Sequence, residues 1–96
     1  MSVEARGIPT EYGLGQDYPN PFKPATIIRY QLPEAAYVSI KPYDMLGREI
    51  RTLVEGESPA GYHEVVVDAS HLASGIYLYR MSAGKFSATK KLVLTK

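Results

Sequence analysis

From Thr26 to the end of the chain, apolar residues recur at every second position in short runs, and glycine, proline or aspartate closes each run. A period of two belongs to a strand with one buried face. Ile28, Tyr30 and Leu32 share one face while Arg29 and Gln31 point the other way, and Pro33-Glu34 ends the run. In the run from Tyr37 to Tyr43, Val38 and Ile40 face the core and Ser39 and Lys41 face water. Asp44-Met45-Leu46-Gly47 supplies a turn with glycine where φ is positive, leading into a hairpin from Glu49 to Val54. Ile50 and Leu53 break strict alternation, which predicts a bulge or short helical kink there.

Glu55 to Gly61, with Gly56 and Pro59 inside it, reads as a turn-rich loop. His63, Val65 and Val67 then alternate with Tyr62, Glu64, Val66 and Asp68, and one of these faces must be buried. Asp68 to Gly75 is a short link in which Asp68 or Ser70 could cap a single helical turn that Gly75 ends. Ile76 to Met81 is rich in tyrosine and aliphatics, and Ala83-Gly84-Lys85 turns it into Phe86 to Leu94. Strands therefore recur at intervals of roughly ten residues, with no sustained helical period. The reading is an all-β, immunoglobulin-like antiparallel β-sandwich of about seven short strands. Without cysteine, its one large stabilising term is burial of the inner faces, at about 25 cal/mol per Å² of apolar area.

Ahead of these strands lies Leu14-Gly15-Gln16-Asp17-Tyr18-Pro19-Asn20-Pro21-Phe22-Lys23-Pro24. Each proline holds φ near −65° and pushes its predecessor towards extended geometry, so the segment is an ordered connector, neither helix nor central strand. Tyr18 and Phe22 are expected to pin it against a neighbouring sheet, with Asn20-Pro21 starting a turn. Residues 1–13 are polar and without period and read as a linker. The folded domain is placed at 14–96.

At 96 residues one modest core is the limit. Basic residues exceed acidic by one, 11 against 10, so the chain carries no electrostatic footprint for nucleic acid. No apolar run has the length of a membrane span, so no membrane insertion is expected, and the first residues do not spell a signal peptide. An extracellular role would place the targeting signal elsewhere, in a longer polypeptide. His63, Asp68 and His71 lack the spacing of a known metal-ligand set. Ser70, Ser74 and Ser87 have no histidine and carboxylate arranged around them by any motif, and no carboxylate pair suits glycoside hydrolysis. The expectation is a non-enzymatic chain without cofactor or metal. Asp44, Gly47 and Arg48 read as turn chemistry before they read as a binding motif.

Six words in order, Tyr18-Pro19-Asn20-Pro21-Phe22, Thr26-Ile27-Ile28-Arg29-Tyr30, Tyr43 to Glu49, Gly61-Tyr62-His63, Leu72-Ala73-Ser74-Gly75-Ile76-Tyr77 and Lys90 to Leu94, carry a resemblance. The chain from about Leu14 to Lys96 closely resembles the type A C-terminal sorting domains of the type IX (Por) secretion system. Immunoglobulin-like modules such as that of flagellar hook-capping proteins share parts of the pattern. The resemblance implies a signal domain following a larger N-terminal cargo. It implies recognition by the type IX outer-membrane translocon of Bacteroidetes-type bacteria and removal by a sortase. The protein would pass through the periplasm in transit and end secreted or attached to the cell surface. Two positions depart from the pattern. Pro42 stands where relatives carry a β-branched residue, which predicts an edge or a bulge in that strand, and Lys23 replaces an asparagine.

The segment Lys90, Lys91, Leu92, Val93, Leu94, Thr95 and Lys96 has the best claim to translocon recognition. A basic, amphipathic last strand at a sheet edge can be read by main-chain pairing and charge; its lysines would equally blunt an exposed edge against aggregation. Two other readings stand beside the sorting signal. One is a structural spacer or assembly module. The other is a cell-attachment or carbohydrate-binding module, which requires an exposed aromatic platform.

Overall fold

The computed structural model describes residues 7–18 and 25–95 of the chain. Among these residues seven strands form, β1 (Gly13–Leu14), β2 (Ala25–Leu32), β3 (Ala36–Tyr43), β4 (Val54–Ser58), β5 (Gly61–Asp68), β6 (Gly75–Ala83) and β7 (Phe86–Leu94). They pair in two antiparallel sheets, β1-β2-β5 and β4-β3-β6-β7. Lettered in chain order as A, B, C, C′, E, F and G, this is an ABE sheet facing a C′CFG sheet, the arrangement of an immunoglobulin-like sandwich.

The alternation places the core. Ile28, Tyr30 and Leu32 of β2 and Val67 of β5 are buried on the inner face of one sheet. Val38 and Ile40 of β3, Tyr79 and Met81 of β6, and Leu92 and Leu94 of β7 are buried on the inner face of the other. All belong to one apolar cluster. Tyr77, at the start of β6, donates its hydroxyl to the Ala73 carbonyl four residues upstream at 2.6 Å. This is the tyrosine corner of immunoglobulin-like sandwiches, which closes the crossing between the sheets and satisfies a buried phenol. The word Leu72 to Tyr77 is thus a structural element.

The turns follow local chemistry. Asp44 Oδ1 accepts the N–H groups of Leu46 and Arg48, both at 2.9 Å, and its Oδ2 takes the Arg48 guanidinium at 2.8 Å. Gly47 sits at φ +85° with its N–H on the Asp44 carbonyl, a conformation that glycine adopts without a Cβ clash. The backbone N–H of Arg48 is the main cause that holds the Asp44 carboxyl below its ordinary value. These three residues form a self-contained turn.

Five sequence expectations are corrected. Glu55 to Ser58, read as loop, form strand β4 together with Val54, the last residue of the expected Glu49 to Val54 hairpin strand, and pair with β3 from Ala36↔Ser58 to Ile40↔Val54. Its inner face carries Val54, Gly56 and Ser58, too little apolar signal to announce a strand. The kink expected at Ile50 and Leu53 is where the chain leaves the ladder between an isolated bridge at Glu49 and the start of β4. Pro42 does not mark an edge strand, because β3 lies between β4 and β6. Its carbonyl accepts from Ile50 N–H, in the irregular stretch that precedes β4. In an antiparallel ladder a residue's N and O point to the same side, so the missing N–H faces that irregular stretch and the pairing with β6 is undisturbed.

The link after Asp68 contains a turn, with Leu72 N–H on the Ala69 carbonyl and Ser70 N–H on Asp68 Oδ1, both at 3.0 Å. Asp68 caps it, as read, but no helical turn forms. Lastly, Tyr18 does not anchor its segment through its ring, which is 70% exposed. Main chain anchors it, through reciprocal bonds with Ile27 at 2.9 Å. Pro19, Asn20, Pro21 and Phe22 lie outside the described residues.

Candidate recognition surface

The last strand forms one edge of the four-stranded sheet, in register with β6 from Gly75↔Leu94 to Ala83↔Phe86. Alternation splits the candidate segment between two faces. Lys90, Leu92 and Leu94 share the inner face, where Leu92 and Leu94 are core residues at 2% and 1% exposure and Lys90 is half-buried at the rim. Lys91 and Val93 share the outer face, Lys91 exposed and Val93 half-buried, and Thr95 is exposed beyond the strand. Lys96 lies outside the described residues. A partner that leaves the sandwich intact can therefore reach Lys91, Val93 and Thr95, and Lys90 from the rim, but not the leucines.

The outer edge of β7 is not bare. A strap formed by Gly13 to Tyr18 crosses from one sheet to the other at this point. On one side it follows β2, through Gly13↔Gln31, Leu14↔Tyr30, Gly15 N–H on the Arg29 carbonyl at 2.8 Å, and the Tyr18–Ile27 bridge. On the other, Gln16 Nε2 donates to the Lys91 carbonyl at 2.6 Å. The phenol of Tyr79 accepts from Asp17 N–H at 2.9 Å and donates to the Gly15 carbonyl at 2.8 Å. Asp17 is almost fully buried, and its carboxylate is satisfied by Gln16 Nε2 at 2.7 Å and the Thr26 hydroxyl at 3.1 Å. A buried carboxylate is tolerated only with such partners. Burial, and secondarily the Asp17 charge, push the Tyr79 phenol up to about 12.

The strap thus ties the segment preceding β2 to the last two strands. Nothing in the spelling of Gln16, Asp17, Thr26, Tyr79 and Lys91 announced this, since the partners are far apart in sequence. Just before the strap, Tyr12 stacks on Phe86 with ring centroids 5.5 Å apart and donates to Glu34 at 3.0 Å.

Other candidates resolve into structure. His63 Nε2 lies 2.8 Å from the Pro59 carbonyl, and its ring stacks on Tyr30 at 5.1 Å. Among the described residues no three His, Cys, Asp or Glu side chains converge as a metal site would require. Tyr30, Tyr77 and Tyr79 are buried, so they offer no sugar-binding platform. A shallow groove of about 840 Å³ crosses the outer face of β1-β2-β5 past Arg29, Gln31, Tyr62 and Glu64. Of its two tyrosines, Tyr30 is buried and only Tyr62 is exposed, on the strand that carries Glu64 of the Arg29–Glu64 ion pair at 2.8 Å. The glycines of its floor answer to packing, because a Cβ at Gly13 would meet the Gln31 side chain at 3.0 Å and one at Gly15 the Arg29 carbonyl at 3.2 Å.

Comparison with known families matches residues 17–95 to the one described as secretion system C-terminal sorting domain. No curated protein matches the chain.

Proposed function

Because this chain belongs to the secretion system C-terminal sorting domain family, whose members are type IX sorting signals, we propose that the sandwich is read by the outer-membrane translocon while it is folded. In this reading a cargo joined on the N-terminal side travels through the periplasm, and the translocon engages β7 and its flanks. A sortase then releases the domain, leaving the cargo secreted or fixed at the cell surface. The domain supplies recognition, and the chemistry of release belongs to the sortase. The family match over residues 17–95 carries the proposal. The geometry of β7 supports it, since Lys91 and Thr95 stand exposed at the end of an edge strand.

The test is an export assay in a type IX host, with residues 1–96 fused behind a fluorescent passenger that carries a Sec signal. Deleting Lys90 to Lys96 is a poor control, because it removes Leu92 and Leu94 from the core. Lys91→Glu with Thr95→Glu leaves the leucines in place. Export of the parent fusion, with periplasmic retention of a folded double variant, is the expected result. Periplasmic retention of a folded parent fusion sinks the sorting reading.

A further inference from the structure

Three cations stand together on the outer face of the four-stranded sheet, one of them Lys91, whose carbonyl the strap holds through Gln16. Lys41 of β3 is directly opposite Arg80 of β6, and Arg80 is directly opposite Thr89 of β7. Lys91, two residues beyond Thr89 and on the same face, is opposite Leu78. Arg80 and Lys91 are exposed. Like charges directly opposed across strands destabilise a sheet. The compensation among the described residues is a single loose ion pair of Lys41 with Glu49 at 3.9 Å.

Beside the cations runs an apolar strip on the same face. Tyr43 is opposite Leu78, and Ile76 is opposite Val93. Ile76 is 44% exposed, and Tyr43, Leu78 and Val93 are half-buried. Of the carboxylates on this side, Glu49 is opposite Tyr43 and is the one paired with Lys41, and Glu55 of β4 accepts from Tyr37.

We propose that this face, centred on Lys41, Arg80 and Lys91 with Ile76 and Leu78 beside them, is where the domain docks an acidic, extended polypeptide segment of its partner. The proposal deepens the sorting reading and rests on it. Charge complementarity requires carboxylates, and the guanidinium of Arg80 suits them in bidentate form. The apolar strip requires side chains between those carboxylates, which a polypeptide has and a nucleic acid or a polyanionic sugar lacks. A net charge of only +1 speaks against a general polyanion binder. The cations are local to one face, so the recognition is local.

Two measurements test it. In the first, the labelled 96-residue chain is titrated by NMR with a short peptide alternating glutamate and valine, with its lysine-for-glutamate counterpart, and with phosphatidylglycerol vesicles. The expected shifts fall on Lys41, Ile76, Leu78, Arg80 and Lys91 with the acidic peptide alone. Arg80→Glu with Lys91→Glu should weaken that binding by about tenfold or more, and Arg80→Lys with Lys91→Arg should restore most of it. Shifts on another face, equal binding of the basic peptide, or a preference for vesicles overturns the proposal.

In the second, the export fusion carries Arg80→Glu with Lys91→Glu, or Lys85→Glu with Arg51→Glu as an equal charge change elsewhere, and each variant is checked by thermal melting. Loss of export for the first pair alone supports the docking face. Equal export of both pairs overturns it. If the parent fusion itself is not exported, the sorting reading fails, and the peptide titration decides the docking face separately.

Discussion

Gln16 donates its side-chain amide to the Lys91 carbonyl at 2.6 Å across a separation of 75 residues. It thereby covers an acceptor on the outer edge of the last strand with the segment between β1 and β2. Exposed strand edges invite pairing with other chains, so this bond protects the edge as well as joining the two ends of the fold. Gln16→Ala should cost about 1 kcal/mol, and Gln16→Glu more, because it sets a carboxylate against the Lys91 carbonyl and Asp17. Urea unfolding at neutral pH measures both. A Gln16→Glu protein as stable as wild type would remove the bond from this account.

Tyr79 makes the sandwich sensitive to alkali. Its phenol is pushed from 10.0 to about 12, so folding favours the neutral form. The associated stability is complete below pH 10 and lost as pH rises towards 12. Two units correspond to about 2–3 kcal/mol. Tyr79→Phe should be less stable at pH 7 by about 1–3 kcal/mol, since Asp17 N–H and the Gly15 carbonyl lose a buried partner. The variant should also show a flatter decline between pH 10 and 12 in thermal melts. An unchanged alkaline slope would assign that slope to other groups.

The turn at Asp44 responds at the opposite end of the scale. Its carboxyl lies below the ordinary 3.8, held there first by Arg48 N–H, and Asp68 is lowered in the same direction by Ser70 N–H. A depressed carboxyl stabilises the fold above its unfolded value and ceases to do so as pH falls through the folded one. Stability should therefore drop below about pH 4. Asp44→Asn should show less of this drop in an acid titration followed by circular dichroism.

The tyrosine corner gives a prediction independent of pH. Tyr77→Phe keeps the ring and deletes only the bond to Ala73, so a loss of about 1 kcal/mol is expected in chemical denaturation. A neutral substitution would mean that ring packing alone holds the crossing between the sheets.

Within β7, neighbouring residues should behave in opposite ways. Leu92→Ala should cost about 2–5 kcal/mol through the cavity it leaves. Lys91→Ala should change stability by less than about 0.5 kcal/mol. Denaturation curves of the two variants separate the strand's structural contribution from the outer-face contribution to recognition.

Much of the core was legible because β alternation is local. Ile28, Tyr30 and Leu32, then Val38 and Ile40, advertise a buried face within a few residues of chain. The turn at Asp44 to Gly47 is equally local, since its bonds lie within five residues. β4 was missed for the converse reason. Its inner residues Val54, Gly56 and Ser58 carry little hydrophobic signal, and pairing with β3 makes it a strand. Tyr18 was misread because aromaticity in a proline-rich segment suggests anchoring, whereas the backbone does that work and the ring faces outwards.

The sequence by itself determined which residues face inwards, where the chain turns, the sandwich class and the family, because these depend on periodicity, turn chemistry and the order of short words. Only the tertiary structure decided that Gln16 and Asp17 meet Lys91 and Tyr79, that the leucines of the last strand are unavailable to a partner, and that Lys41, Arg80 and Lys91 share one face. Those relationships depend on strand register and on which strands become neighbours. Register is set by the packing of two whole sheets against each other, and no local stretch of residues encodes it.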